Sequence, residues 1–468
     1  QLSQFLAATD GVFEGLPPTI AEFGRVCIDS RQVRRGDVFW ALRGERHDGH
    51  DFIAEAHRRG ALLSVVAAGR VGTGGEPRVV VKETATALAQ FAAWYRQQRE
   101  TLIIGVTGSV GKTTTREMIH AALSAGFPGI CSEHNYNNEI GLPLTLLEIE
   151  QQHEFAVLEM GARRRGDIRA LAEIARPEVG VITAIAPAHL ESFGNIQKIV
   201  EAKGELFEAL PPQGFAVLPG DDAWAHELAA RAACPVILVG QGVQNQVRAE
   251  NVELQANGLS FEVAGNRYEA AVSGRHYLHA ALSAVAIGRE IGMEPARIAE
   301  GLRNVKMLPG RCRIERHAGL TMIDDTYNAS PASMQAACEL LRSWQGSGKR
   351  LLIVGDMLEL GPEAAEYHRE LGARVAAAGI ERLLVFGPNA RFVVAGARAG
   401  GMDSHRLAEF AEMDALLAVL DCWLAPGDVI LVKGSRGMRM ERVVEWLRQY
   451  AAREFQEHTT PQFERVSA

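Results

Sequence analysis

Ten residues, Gly105-Val106-Thr107-Gly108-Ser109-Val110-Gly111-Lys112-Thr113-Thr114, constrain this chain more than any others. They follow the apolar run Leu102-Ile103-Ile104 and lead into Thr115-Arg116-Glu117-Met118-Ile119, which gives the order strand, glycine-rich loop, helix. Glycines let backbone N–H groups converge in such a loop, and the helix N-terminus adds a partial positive charge, so the unit is an anion cradle. Gly108, Ser109 and Gly111 shape the cradle, Lys112 reaches the outer phosphates, and Thr113, followed by Thr114, offers a hydroxyl to Mg²⁺. A nucleoside triphosphate is the expected ligand. The strict spacing GxxxxGK[ST] asks for glycine at 106, where the chain has Val106.

A length of 468 residues predicts two to four domains. The 49 Lys and Arg against 57 Asp and Glu leave a net charge of −8 with the acids interspersed, so nucleic acid is not an expected partner. The triplet Arg163-Arg164-Arg165 reads as a solvated surface. No apolar run approaches the roughly 18–20 residues that span a bilayer, and no charged-then-apolar leader opens the sequence, which predicts no membrane insertion and a cytoplasmic location. Cys27, Cys131, Cys234, Cys312, Cys338 and Cys422 form no CxxC pair, so reduced thiols are expected, with Cys312 a bystander beside Arg311.

The pattern predicts an α/β protein of three domains and a tail. Residues 1–82 hold short strand-like runs (Val38–Leu42, Leu62–Val66, Val79–Val81) and read as a small α/β unit without a phosphate loop. In 83–309, a helix over Ala85–Gln98 leads into the phosphate loop. Strands at Ala156–Leu158 and Val179–Thr183 then alternate with helices, including one near Ile196–Leu210, which predicts a parallel sheet. A β-rich stretch over 214–273 precedes a helix at Leu278–Ile291. The break at Met307-Leu308-Pro309-Gly310 opens a third unit, 310–455, with strands at Thr321–Ile323, Leu351–Val354, Leu383–Phe386 and Val429–Val432, a Rossmann-like sheet. Residues 456–468 read as a frayed tail.

Open parallel sheets bind ligands at the carboxyl ends of their strands. Glu159 ends one strand and His189 follows another by a short loop, so both can face the crevice of Thr113 and join it as Mg²⁺ ligands, the imidazole being the unusual member. In the helix near 196–210, apolar residues at 196, 199, 200, 206, 207 and 210 place Lys203 on the apolar stripe. Two readings meet that pattern. Snorkelling, with the ammonium escaping to water, is the plainer; the other is a desolvated lysine of depressed pKa whose neutral amine reacts or is carbamylated by CO₂. Arg311 stands just past the Pro-Gly hinge, where closure can swing it onto a γ-phosphate. Asp324-Asp325-Thr326-Tyr327-Asn328-Ala329-Ser330-Pro331 and Gly355-Asp356-Met357-Leu358-Glu359-Leu360-Gly361 each follow a strand. In the first, Tyr327 can pack on a base or sugar and an Asp can orient a cation or ribose hydroxyl.

Taken together these motifs resemble the Mur ligase family, ATP-dependent enzymes that extend the peptide of the peptidoglycan precursor. The match covers nearly the whole chain. Gly105 to Thr114 is similar to the family's own phosphate loop, Val106 included. Asp29-Ser30-Arg31, Gly36-Asp37-Val38-Phe39 and Gly44-Glu45-Arg46-His47-Asp48-Gly49-His50 resemble the domain that holds the UDP-sugar end of the substrate. Asn135-Tyr136-Asn137-Asn138-Glu139-Ile140-Gly141-Leu142-Pro143, with the 324–331 and 355–361 loops, resembles the branch that joins D-alanyl-D-alanine to UDP-N-acetylmuramoyl-tripeptide through an acyl phosphate.

The resemblance implies ATP at Gly108, Ser109, Gly111, Lys112, Thr113, Thr114, Arg311, Asp325 and Tyr327. It implies two Mg²⁺ served by Thr113, Glu159, His189 and a carbamate on Lys203, with Lys112, Lys203, His189 and Arg311 the catalytic set. It implies substrate contacts at Ser30, Arg31, Gly44, Asp48, His50, Asn137, Asn138 and Asn328, and a monomer. One departure is plain: His276-Tyr277-Leu278-His279-Ala280 stands where the family commonly shows His-Asn-x-x-Asn, whose asparagines help hold the nucleotide. Another Mur-type ligase, folylpolyglutamate synthetase, or a generic P-loop NTPase or kinase are the alternatives.

Overall fold

The computed structural model describes residues 2–15, 23–70, 75–133, 135–255 and 258–459. Valine-rich segments near the start pair into a five-stranded sheet in the order Val12–Glu14, Arg78–Val81, Leu63–Ala67, Val38–Trp40, Val26–Cys27. Its first pair is antiparallel and the rest are parallel. Trp40 is fully buried beneath this sheet, and its indole N–H donates to Thr84 O at 2.7 Å. That bond pins the sheet to the start of helix Thr84–Arg96, whose N-terminus is capped by Glu83 through Ala85 N and Thr86 N. At the helix end, buried Arg96 donates to Ala175 O at 3.0 Å and to Glu178, so the helix is riveted to the next unit as well.

The central sheet has seven strands, all parallel: Val247–Arg248, Val236–Gly240, Phe215–Pro219, Val179–Ile182, Leu102–Thr107, Phe155–Glu159 and Gly129–Cys131, edge to edge. Near-continuous apolar runs suit strands covered on both faces. One cover is helix Lys112–Ser124, which buries Met118, Ile119, Ala122 and Leu123 and packs on helix Leu278–Glu290. Each large side chain so buried contributes roughly 1.5–3 kcal/mol. The β-rich stretch after 214 supplies three of these parallel strands and then an antiparallel sheet of Glu250–Gln255, Gly258–Val263 and Asn266–Ala270.

The third sheet runs Arg313–His317, Leu320–Asp325, Val429–Lys433, Arg350–Gly355, Arg382–Phe386, Leu407–Phe410. Only its first pair is antiparallel. The last helix, Glu441–Thr459, buries Val443, Val444, Leu447 and Ala451 against it. The helix runs into the first residues of the expected tail, as far as Thr459. Residues 460–468 lie outside the described residues.

Candidate active site

The central sheet reverses its strand order around Leu102–Thr107, which is flanked by Val179–Ile182 and Phe155–Glu159. At such a switch point the loops diverge and leave a crevice. Val106 is fully buried inside this strand, paired with Glu159 on one side and Val181 on the other. A strand residue needs no glycine, which explains the irregular spacing. The turn begins at Gly108, whose φ is +146°, and closes at Gly111, φ +89°, the residue before the helix. A Cβ at Gly108 would stand 2.0 Å from Thr183 Oγ1. That hydroxyl donates to Val110 O at 2.6 Å and holds the loop in shape.

The groups left in the loop fit an anion. Ser109 Oγ is buried without a hydrogen-bond partner among the described residues. Among the described residues Lys112 Nζ donates only to the loop's own carbonyl, Gly108 O, at 2.9 Å. Its enclosure pulls the ammonium pKa below the ordinary lysine range; Glu159 opposes this shift and Arg311 adds to it. A phosphate would supply what both groups lack.

Glu159 is buried at its strand end. Oε2 accepts from Thr113 Oγ1 at 2.8 Å and Oε1 from Asn137 Nδ2 at 2.8 Å, while Arg116 Nη1 lies 3.5 Å from Oε2. Arg116 is 1% exposed and also bonds Glu117. The sequence reading missed Arg116, since helical spacing gives no reason to turn an arginine inward. Asn137 belongs with this carboxylate. Asn138 faces elsewhere: its Oδ1 accepts from Gly141 N at 2.9 Å and caps the next helix.

His189 caps the short helix Leu190–Phe193 in the left-handed region, φ +53°. Its Nδ1 bonds Glu359 Oε2, and Glu191 N donates to Glu359 O at 3.3 Å. Burial lowers the imidazole pKa and Glu359 works against that shift. The structure therefore ties His189 to the third unit through a partner 170 residues away. Lys203 lies in helix Ile196–Glu208 at 3% exposure, which overturns snorkelling. Its Nζ sits 6.0 Å from the centre of the Phe193 ring and makes no hydrogen bond or ion pair among the described residues. Burial first, and then Lys112, bring its pKa down to about 7 against the pull of Asp167, Glu159 and Glu205.

Arg311 crosses between units: Nη2 donates to Thr113 Oγ1 at 3.1 Å, and the guanidinium stacks 3.8 Å from the Tyr327 ring centre. Asp325 Oδ2 is taken by Lys433 Nζ at 2.6 Å, and the same ammonium donates to Asn328 O at 2.9 Å. Lys433 too escaped the sequence reading, because 108 residues separate it from its carboxylate. Cys312 is buried and its thiol is pushed up to about 12, in keeping with a bystander.

Between the central and third units these side chains line a cavity of about 630 Å³, reaching from Ser109–Thr115 past Glu159 and His189 to Asp325, Tyr327, Glu359, Lys433 and Arg436. His276, Tyr277, His279 and Ala280 line it where the motif departs, and His279 Nε2 lies 3.7 Å from Asp221 Oδ2. Lys203 lies beneath the lining. The five early candidates lie outside it. Asp29 gathers Arg31 through three bonds of 2.8–3.0 Å, Ser30 donates to Glu55, Gly44 N donates to His47 O, and His50 bridges Asp48 and Ala67 N. Among the described residues no three His, Cys, Asp or Glu side chains are arranged to hold a metal by themselves. One carboxylate with a hydroxyl suits Mg²⁺, which takes its remaining oxygens from phosphates and water.

The chain matches the family models described as Mur ligase family, catalytic domain over residues 22–96, Mur ligase middle domain over 106–288, and Mur ligase, glutamate ligase domain over 310–436. The UDP-N-acetylmuramoyl-tripeptide–D-alanyl-D-alanine ligase of Bacillus subtilis is 37% identical over 425 residues, 90% of this chain and 92% of that protein. The chain belongs to the Mur ligase family. Among solved Mur ligases, MurF from Acinetobacter baumannii superposes with a TM-score of 0.87 at 32% identity, covering 96% of this chain and 98% of that one. MurF from Thermotoga maritima, solved with ADP, gives 0.80 at 30% identity over 92% and 98%. The three-domain α/β architecture is thus that of a Mur ligase. No helix among the described residues is long and apolar enough to cross a membrane.

Proposed function

We propose that the chain is an ATP-dependent amide ligase that joins D-alanyl-D-alanine to UDP-N-acetylmuramoyl-tripeptide, giving the UDP-MurNAc-pentapeptide, ADP and phosphate. The observation that carries the chemistry is the meeting of Lys112, Thr113 and Glu159 from one unit with Arg311 from another in a single cavity. In this reading residues 1–82 hold the UDP-sugar, 83–309 the ATP, and 310–455 the incoming dipeptide. The protein acts as a cytoplasmic monomer.

A carboxylate is a poor electrophile, so the peptide's terminal carboxylate first takes the γ-phosphoryl group and ADP leaves. The amine then attacks the acyl phosphate, loses a proton, and phosphate departs. Phosphoryl transfer needs positioning and charge neutralisation more than a protein nucleophile. Lys112 and the N–H groups of Gly108 to Thr114 orient the phosphates, and Arg311, steadied on Tyr327, answers the γ-phosphate charge. Asp325, held by Lys433, faces the nucleotide's sugar or a cation, and Asn328 faces the substrate. Thr113 and Glu159 would hold one Mg²⁺ and His189 with a carbamate on Lys203 the second; bound there, Mg²⁺ neutralises phosphate and oxyanion charge. Neutral Lys203 amine is the form that adds CO₂, and a pKa of about 7 makes it available. Ser30, Arg31, Gly44, Asp48, His50, Asn137 and Asn138 remain the proposed contacts to the UDP-peptide.

Mass spectrometry tests the reading: with ATP and Mg²⁺, the tripeptide and dipeptide substrates should yield the pentapeptide with one ADP per amide. ATP loss without a new amide would reduce the protein to an NTPase. Carbon-labelled CO₂ should give a carbamate NMR signal that Lys203→Ala lacks.

A further inference from the structure

The amine substrate of the proposed reaction is a zwitterion: an ammonium at one end, a carboxylate at the other, and two methyl groups between. An enclosed site that accepts it needs one carboxylate and one cation not already neutralised by the protein. Three carboxylates line the cavity. Glu159 has both oxygens engaged, by Thr113 and Asn137. Asp325 is neutralised by Lys433. Glu359 is the one of the three with no lysine or arginine partner among the described residues: Oε2 faces His189, Oε1 makes no hydrogen bond, and the side chain is 57% exposed.

The cations divide in the same way. Lys112 belongs to the phosphate loop, Arg311 to Thr113 and Tyr327, and Lys433 to Asp325. Arg163 and Arg436 line the cavity with guanidinium groups that make no hydrogen bond or ion pair among the described residues; Arg436 lies over the Tyr327 ring at 5.8 Å, a contact that leaves its N–H donors open. Arg163 comes from the central unit, after Glu159. Arg436 comes from the third unit, on the same wall as Glu359. The two segments of that wall touch, since Leu358 N donates to Ser435 Oγ at 2.9 Å, and Leu358 Cδ1 lies 2.9 Å from where a Cβ on Gly437 would stand. Leu358, 41% exposed, is the apolar piece between the charges. An extended dipeptide spans roughly 7 Å, a reach suited to neighbouring loops.

We infer that the third unit reads the incoming dipeptide as a zwitterion, with Glu359 taking its ammonium, Arg436 its carboxylate, and Leu358 the methyl groups between them. The inference rests on the ligase reading above and adds the residues that select the nucleophile. It also gives Glu359 a task beyond holding His189: the ammonium binds at its open oxygen, gives one proton to solvent water, and the neutral amine then attacks.

The test compares D-alanyl-D-alanine with its C-terminal amide as nucleophiles in the full-length enzyme. Wild type should favour the acid by about tenfold to a hundredfold in kcat/KM, the range for losing one charge-assisted hydrogen bond. Arg436→Gln should bring the two nucleophiles within about twofold, by losing rate on the acid and little on the amide. Glu359→Gln should raise the dipeptide KM about tenfold or more while ADP and UDP-tripeptide dissociation constants stay unchanged. Arg163→Gln should leave the acid-to-amide ratio intact.

Retention of that ratio in Arg436→Gln, or its collapse in Arg163→Gln, overturns the assignment of the carboxylate. Parallel loss of ADP and dipeptide binding in Glu359→Gln reduces that residue to a structural tie and overturns the assignment of the ammonium. A wild type that ligates acid and amide equally well overturns the zwitterion inference alone. A wild type that makes an amide with neither overturns the ligase reading and the inference with it.

Discussion

The phosphate-loop side of the cavity and the polar loops of the first unit were both singled out by motif, yet their side chains end in opposite situations. In the cavity wall and just beneath it, Ser109 Oγ and Lys203 Nζ are buried without hydrogen-bond partners among the described residues, and Lys112 bonds only a carbonyl of its own loop there. In the first unit, Asp29 and Arg31 hold each other, Ser30 holds Glu55, and His50 is fixed from both ring nitrogens. A buried donor without an acceptor destabilises a fold, so such groups persist where a ligand completes them. Loops whose polar groups already satisfy one another are shaped by those bonds, and a ligand binding there would have to exchange partners with them. The first region is poised; the second is self-contained.

The sharpest way to break this contrast is Lys203→Ala. Removing a poised group should lower turnover by roughly 10³-fold while the fold persists; near-normal turnover in the pentapeptide assay would sink the carbamate role. The same lysine has a pH signature. Its folded pKa of about 7 lies below the ordinary 10.5, so between these values the unfolded chain holds the extra proton and stability rises with pH. The destabilisation is complete below about pH 7 and fades toward pH 10.5. Denaturant titrations at several pH values should find that slope flattened in Lys203→Ala.

Next in size is Arg116→Met, which leaves Glu159 buried beside one charge fewer. A loss of about 3 kcal/mol is expected by chemical denaturation, with weaker Mn²⁺ binding by calorimetry as the functional readout. Unchanged stability would show that Arg116 does not support the carboxylate. Gly108→Ala should then cost roughly 2 kcal/mol from the strained φ and the contact with Thr183, and fluorescence titration should show weakened ADP binding. The smallest structural effect belongs to Arg31→Ala. With a side chain 78% exposed, its loss should leave thermal stability unchanged. A several-fold rise in KM for the UDP-tripeptide would support a binding role in the first unit; no change in either measurement would leave Arg31 a solvated partner of Asp29.

Much of the scaffold was readable because its signals are local. The apolar runs before Gly105, Glu159 and Asp324 marked strands, and the 3.6-residue stripe that carries Ile199, Val200, Leu206 and Phe207 placed Lys203 on the apolar face of its helix. The Pro-Gly break put Arg311 where it could cross between units. What periodicity could not separate was snorkelling from full burial, since both give the same stripe and only Phe193 and the surrounding helices decide. Pairings across distance were illegible for a related reason. Nothing near Glu359 points to His189, and nothing near Lys433 points to Asp325; the chain's topology brings them together. Asn137 and Asn138 show the limit at its finest: adjacent and identical in type, one supports the buried carboxylate and the other caps a helix.

The close approach of Gly108 and Thr183 reaches beyond the loop itself. Because a methyl group at 108 and the hydroxyl at 183 compete for the same space, neither position is free to drift alone. A larger residue at 108 demands a smaller one at 183, and the bond to Val110 O is then lost as well. The two sites, 75 residues apart, are therefore coupled by space, and a library that randomises both together should recover active sequences with a larger residue at 108 that a library at 108 alone does not.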